Sequence, residues 1–317
     1  MLQIITLNST KNKNALSTSV LQSIKDQLLA AWQNPKVKAI WIESVSSDFF
    51  SAGGDVKQLH SAIESQQLEL CNEFFTVEYS TDYLIHIFKK PIITWVDGIV
   101  FGGGLGLIQG ASHKIFSPSA IASMPEVLIG LFPDVGASYF LQKLPQNWKT
   151  AVSEKARRLT ANECHSLGLC DYLIDIDKAH VLKKLQNLNW GKTNSENHIL
   201  IEKLLSPISR SITKVTYIEN ADEKSNEAYA CPSSVEFTRG QLKAGIGKSV
   251  RRAFEMEWQY AYHFCRSHNF KEGVRALLVD KDRKPQWQEE NIDVFFAPVT
   301  ENCFEEFKKV LDTLDTL

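Results

Sequence analysis

The stretch "PIITWVDGIVFGGGLGL", Pro91 to Leu107, decides which class of fold to expect. Its first half is rich in β-branched and aromatic residues and reads as a buried strand. Its second half sets Gly102, Gly103, Gly104 and Gly106 in a turn that runs on into an apolar segment. Such a strand–turn–helix lets backbone approach a ligand closely and present N–H groups from a helix N-terminus. It is not a dinucleotide loop: Gly104-x-Gly106 would need glycine at 109, which is Gln109. "GIGKS" at 245–249 imitates a phosphate loop, but Leu242 stands where that motif needs glycine. "SAGGD", Ser51 to Asp55, repeats the strand–turn–helix form upstream.

Outward from this point, strand patterns alternate with helical ones up to about residue 177. "LQIITL" and "VKAIWIES" read as strands, and "HKIFSPSAIASMPE" as two more short ones. "ALSTSVLQSIKDQLLAAWQN" has apolar residues at helical spacing, with Ser17 as its N-cap and a stop at Asn34-Pro35. "LELCNEFFTVEYSTDYLIHIFKK" reads as a long helix ending in lysines. The succession predicts an α/β fold. Beyond about residue 190 helical patterns take over, with a polar, loop-rich stretch near 206–232. The expected organisation is an α/β core over residues 1–190 followed by a helical C-terminal region over 191–317.

"SMPEVLIGLFPDVG", Ser123 to Gly136, places Glu126 and Asp134 in apolar surroundings just after the glycine cluster. Carboxylates are seldom put there unless paired, capping or needed for chemistry. A first-turn glutamate after Pro125 and an N-cap at Asp134 are the ordinary explanations. The two glycine turns upstream offer another. Two converging backbone N–H donors make an oxyanion hole for an enolate or a tetrahedral thioester intermediate, and a carboxyl with a raised pKa beside it suits acid, base or nucleophile work.

Composition narrows the function classes. With 44% hydrophobic and 23% charged residues and a net charge of -2, the 317-residue chain has the balance of an ordinary globular protein, not of a nucleic-acid binder. Six cysteines (71, 164, 170, 231, 265 and 303) show neither C-x-x-C nor metal-type pairing with histidine, so reduced thiols and no metal are expected. No run approaches about 18 apolar residues, so no membrane span is expected. The N-terminus lacks the look of a signal or transit peptide, giving a cytoplasmic expectation, or a mitochondrial-matrix one if a targeting segment has been removed. The eight histidines have no ligand spacing, and His86 reads as a core residue. A Ser-His-Asp site has no G-x-S-x-G to support it.

Four segments in order, "FFSAGGDVKQL", "PIITWVDGIVFGGGLGL", "ASMPEVLIGLFPDVGASYFL" and "LTANECHSLGLCDYLI", resemble the crotonase (enoyl-CoA hydratase/isomerase) superfamily. "CPSSVEFT" at 231–238 and "NFKEGVRALLVDKDRKPQW" at 269–287 extend the resemblance through the C-terminal region. It implies a ββα spiral core and an acyl-CoA substrate, with no cofactor because CoA is part of the substrate, and possible homo-oligomers. It also implies that the N–H groups of Gly54 and Gly103 form the oxyanion hole, that Glu126 and Asp134 are the catalytic carboxylates, and that Glu78 reaches the substrate. On the residues alone, Glu78 is one carboxylate on a helix that reads as amphipathic, more often a solvated residue than a ligand. Hydratases of the superfamily carry a second glutamate where this chain has Gly106. Hydrolysis of a short β-hydroxyacyl-CoA, such as 3-hydroxyisobutyryl-CoA from valine breakdown, therefore ranks above hydration or isomerisation and above a non-catalytic acyl-CoA-binding role. Two departures are a missing Arg-Pro in "LNSTKNKNALS" and Asn269 at a position where acidic residues are common.

Overall fold

The computed structural model describes residues 1–212 and 229–317. Most of the stretch expected to be loop-rich therefore lies outside the described residues. Among the described residues, nine short strands form two sheets. β1 (Leu2–Leu7), β2 (Ala39–Ser44), β4 (Ile92–Val96), β6 (His113–Phe116) and β9 (Tyr172–Leu173) lie side by side in a parallel sheet. β3 (Phe49–Ser51), β5 (Ile99–Phe101), β7 (Ile121–Ser123) and β8 (Leu159–Thr160) make the second, in which only β8 runs antiparallel. The chain visits the two sheets alternately, β2 to β3, β4 to β5 and β6 to β7, with helices between these pairs. This stepping is the ββα spiral, and the α/β class expected from the strand–helix succession is what the chain adopts.

The helices of the core are α1 (Thr18–Gln33), α2 (Val56–Glu64), α3 (Leu68–Ile87), α4 (Gly103–Gln109), α5 (Ala137–Phe140), α6 (Gln146–Ser153), α7 (Ala161–Ser166) and α8 (Lys178–Gln186). α1 begins as its sequence suggests: the Ser17 side chain accepts the Val20 N–H, and Leu21, Ile24, Leu28 and Ala31 form the buried face. α3 departs from the amphipathic expectation. Every residue from Val77 to Ile85 is buried, because α1, α2, α4 and two C-terminal helices surround it.

Later come α9 (Asn194–Leu205), α10 (Pro232–Ala244), α11 (Val250–Phe264), α12 (His268–Val274), α13 (Ile292–Phe295) and α14 (Asn302–Asp315). α8 and α9 cover the outer face of the parallel sheet, where Trp41 stacks on Trp95 beside Val181, Leu185 and Ile201. α10 to α14 join the main core instead. Phe237 and Phe264 enclose the Phe132 ring, with centroids 5.4 and 5.1 Å from it. α11 and α14 both lie against α3.

α12 meets the core backbone to backbone. A Cβ at Gly273 would lie 2.4 Å from the Ile129 carbonyl carbon, and one at Gly130 would lie 2.2 Å from the Asn269 carbonyl oxygen. Asn269 is wholly buried and knots this corner: its amide donates to the Gln288 carbonyl at 2.8 Å and to Glu290 at 2.9 Å. That use of the amide as a donor suits an asparagine, since an ionised carboxylate could donate to neither acceptor. After α12 the chain makes a π-helical turn, Arg275–Val279, held by Arg275 paired with Glu272, Asp280 and Asp282. Gly273→Ala forces a methyl group into the Ile129 backbone and should cost roughly 1–3 kcal/mol in urea unfolding. A loss under about 0.5 kcal/mol would show that the two turns are free to separate.

Candidate active site

The spiral brings the two glycine turns into contact. A Cβ at Gly103 would lie 3.1 Å from the Gly54 nitrogen, tighter than ordinary contact, and 2.5 Å from Glu78 Oε1, so a side chain there would push the Glu78 carboxyl aside. Among the described residues the N–H groups of Gly54 and Gly103 donate to no other protein group. Both glycines face a cavity of about 510 Å³, which Glu78, Glu126 and Asp134 also line. All five residues singled out from the sequence are thus gathered at one cavity, over chain separations of up to 80 residues. Its inner wall is apolar, with Leu59, Phe74, Leu128 and Leu131, and Leu277 and Leu278 close it from the π-helical turn. Exposed Lys13, Arg158 and Arg283 stand at its edge.

Each carboxylate reaches the cavity for a local reason. Glu126 opens a 3₁₀ turn, Glu126–Ile129, directly after Pro125, so the first-turn expectation holds as local structure. It is nevertheless only 5% exposed, its Oε2 has no partner, and a Cβ at Gly102 would lie 2.5 Å from its Oε1. The capping explanation for Asp134 does not hold: α5 is preceded by Gly136, and the Asp134 Oδ2 instead accepts the Tyr79 hydroxyl at 2.7 Å. Glu78, read as an ordinary solvated residue on the sequence alone, is 2% exposed, because α3 is enclosed on all sides there.

Two more buried acids belong to the cluster and were not found by sequence reasoning. Asp82, one turn beyond Glu78, is fully buried with neither oxygen partnered. Its carboxyl occupies the space a side chain at Gly106 would need: a Cβ there would lie 2.3 Å from Asp82 Oδ2 and 2.7 Å from the Val135 Cβ. Gly106 is therefore required by packing. Glu257 on α11 is equally buried and accepts the N–H groups of Gly136 and Ser138 at 2.7 and 2.8 Å. The only sequence signal for Asp82 is its i+4 spacing from Glu78, and Glu257 lies 121 residues from its partner.

Burial governs the electrostatics. It raises the Glu78, Asp82 and Glu126 carboxyls well above their usual range, with repulsion from Asp134 next in each case. Burial lifts Asp134 to about 7, against the pull of its Tyr79 hydrogen bond, and lifts Glu257 to about 8 against its two backbone bonds. Tyr79 is held well above its normal value, so it keeps the proton it donates to Asp134. At neutral pH the cluster therefore retains protons and includes a carboxyl poised to exchange one.

The histidines stand apart from this chemistry. His86 packs edge-on against Tyr139 and Phe254, and burial lowers it to about 4, in keeping with a core residue. His113 and His198, unrelated by spacing, share a hydrogen bond at 3.1 Å. No group of three or more His, Cys, Asp or Glu side chains among the described residues is arranged to hold a metal ion.

The buried state of Asp82 can be read from pH-dependent stability. The folded chain keeps its proton above the pH, near 4, at which an unfolded chain releases it. The stability this group contributes is full below that pH and is lost as pH rises toward the folded value. Asn has no proton to lose. Asp82→Asn should therefore gain stability relative to the parent as pH rises above about 4, by up to about 1.4 kcal/mol per pH unit in urea unfolding. A stability difference that stays flat with pH would contradict a neutral Asp82.

Comparison with known proteins places this geometry in a family. The enoyl-CoA hydratase/isomerase model matches residues 2–228 and 201–304. The mitochondrial 3-hydroxyisobutyryl-CoA hydrolase of Mus musculus is 30% identical, covering 98% of this chain and 87% of its own length. Its counterpart in Gallus gallus is 29% identical over 95% and 86%. Among solved structures, an enoyl-CoA hydratase from Rhodobacter sphaeroides 2.4.1 gives a TM-score of 0.79 at 25% identity, covering 93% of this chain and 94% of that one. A carnitinyl-CoA dehydratase from Mycobacterium thermoresistibile shares the fold with a TM-score of 0.79 at 20% identity, covering 94% of each chain. With its glycine turns, its buried acids and these matches over nearly its whole length, the chain belongs to the enoyl-CoA hydratase/isomerase family and has the crotonase-like α/β fold.

Proposed function

We propose that this enzyme hydrolyses short β-hydroxyacyl-CoA thioesters, and that 3-hydroxyisobutyryl-CoA, from valine breakdown, is its substrate. The observation that carries the reading is the pairing at the cavity: Glu126 and Asp134 face two adjacent unpaired N–H groups, while the hydratase position is glycine and its space is filled by Asp82 and Val135. The names of the relatives point the same way. A cavity with an apolar interior and Lys13, Arg158 and Arg283 at its edge suits a small acyl group inside and the phosphates of CoA outside.

In this mechanism the thioester oxygen sits between the Gly54 and Gly103 N–H groups, which stabilise the charge it gains when the carbonyl is attacked. Glu126 reacts in its ionised form, which burial makes scarce but strongly basic. By one route it attacks the carbonyl carbon; the C–S bond breaks, and the CoA thiolate takes a proton from Asp134. Water, deprotonated by Asp134, then cleaves the mixed anhydride and restores Glu126. By the other route Glu126 removes a proton from water, whose oxygen attacks the carbonyl carbon directly; the C–S bond then breaks and the CoA thiolate takes the proton that Glu126 had removed. Glu78 contacts the acyl portion, and Asp134 orients the β-hydroxyl. Following ¹⁸O from water in a single turnover separates the routes, because only the anhydride route can leave label in the Glu126 carboxylate.

The reaction as proposed needs no cofactor and no metal, and no nucleic-acid partner. No helix among the described residues is long and apolar enough to cross a membrane. The setting proposed is the cytoplasm or the mitochondrial matrix; the vertebrate relatives are named as mitochondrial. A homo-oligomer in the manner of the family is part of the proposal.

Thiol release measured over a panel of acyl-CoAs tests the function. Free CoA should appear fastest from 3-hydroxyisobutyryl-CoA, and Glu126→Gln should lower kcat by about 10²-fold or more. Hydration or double-bond migration without thiol release would establish a lyase or isomerase. No turnover of any member, with tight binding retained, would establish an acyl-CoA-binding protein.

A further inference from the structure

The segment that carries Asp134 is held in a conformation it would not choose alone. Val135 has φ +51, in the left-handed region that a β-branched residue strongly disfavours, and Gly136 follows at +89. Nothing within residues 133–138 accounts for this, apart from the Ala137 N–H donating to the Asp134 carbonyl at 2.9 Å. The holding groups come from the C-terminal helices. Glu257 on α11 accepts the N–H groups of Gly136 and Ser138, one on each carboxylate oxygen. One turn earlier on the same helix, Phe254 packs on the Gly136 backbone and against the Tyr79 ring. From α10, Gln241 donates through one nitrogen to the Pro133 carbonyl at 2.6 Å and to Ser138 Oγ at 3.0 Å. The Val135 side chain is driven onto the bare Cα of Gly106.

We propose that Glu257, with Gln241, is a positioning residue for catalysis: it holds the strained Val135–Gly136 turn so that the Asp134 carboxyl meets the Tyr79 hydroxyl and faces the cavity. Glu257 touches no part of the cavity and acts only through the turn. Its two oxygens suit the task, because each can accept an N–H group whether or not the carboxyl carries a proton, whereas an amide offers one acceptor oxygen and turns an N–H donor toward the other amide. The C-terminal region thereby sets the geometry of an acid in the core, more than 120 residues away in the chain. The inference rests on the reading of Asp134 as a catalytic residue given above.

A double-mutant cycle tests it. Glu257→Gln should lower kcat for thioester hydrolysis by tenfold or more and leave KM within about threefold, because the cavity wall is untouched. Val135→Gly accepts φ +51 without strain, so adding it to Glu257→Gln should recover part of the lost kcat. Phe307→Leu, which loosens α14 against Trp258 of α11 away from the turn, serves as the stability control and should leave kcat unchanged. Hydrogen exchange gives a readout independent of activity. The Gly136 and Ser138 amides should be protected in the parent and at least tenfold faster in Glu257→Gln. If Glu257→Gln does not fold, Gln241→Leu is read in its place and should show the same loss of kcat at near-constant KM. A kcat within threefold of the parent, unchanged exchange at both amides, or a loss matched by the Phe307→Leu control overturns the proposal. If the parent itself releases no thiol, the proposed function fails, and the exchange experiment still decides whether Glu257 holds the turn.

Discussion

The contact between the glycine turns at 53–54 and 102–103 is the constraint on which the remaining geometry depends. With the Gly54 nitrogen 3.1 Å from where a Gly103 Cβ would be, the two segments approach more closely than side chains ordinarily allow. That approach brings both glycines to the wall of one cavity. It also fixes the relation of β3 to β5, which pair in parallel just before the turns. The spiral then delivers Glu126 from the end of the next strand pair, against the Cα of Gly102.

Around this contact the protein buries five carboxyls: Glu78, Asp82, Glu126, Asp134 and Glu257. Burying so many ionised acids together would be prohibitive, so protons are retained and the carboxyls shift upward together. For Asp134, near 7, that shift supports a role in moving protons at neutral pH. The C-terminal helices complete the arrangement. α12 and the π-helical turn close the cavity beside the Glu126 turn, and α10 and α11 hold the Asp134 segment. π-helical turns recur at functional sites, and this one places Ala276, Leu277 and Leu278 in the cavity wall.

Much of this was legible in the sequence, for physical reasons. Glycine clusters after apolar strands mark places where backbone must come close, and acids in apolar runs mark places where burial needs a purpose. Those two signals led to the two glycine turns and to Glu126 and Asp134, while the choice of Gly54 and Gly103 within the turns came from the resemblance to the family. Helical periodicity also gave α1 and its Ser17 cap correctly. Periodicity misled for Glu78, because a helix packed on every side has no solvated face for a carboxylate to occupy. Tyr79, Val135 and Glu257 could not be read at all, and Asp82 only through its i+4 spacing from Glu78. Their roles exist only through contacts across the fold, and a β-branched residue at positive φ runs against its local preference. The hydrogen bond between His113 and His198 is hidden for the same reason.

The central claim is that a thioester carbonyl is polarised between the N–H groups of Gly54 and Gly103. The direct measurement is the infrared difference spectrum of the carbonyl stretch, with ¹³C-labelled acyl-CoA bound to the Glu126→Gln variant so that the ester persists. The account predicts a carbonyl band at clearly lower wavenumber than for the same thioester free in water. A band at the solution position, with the ligand fully bound, would contradict it.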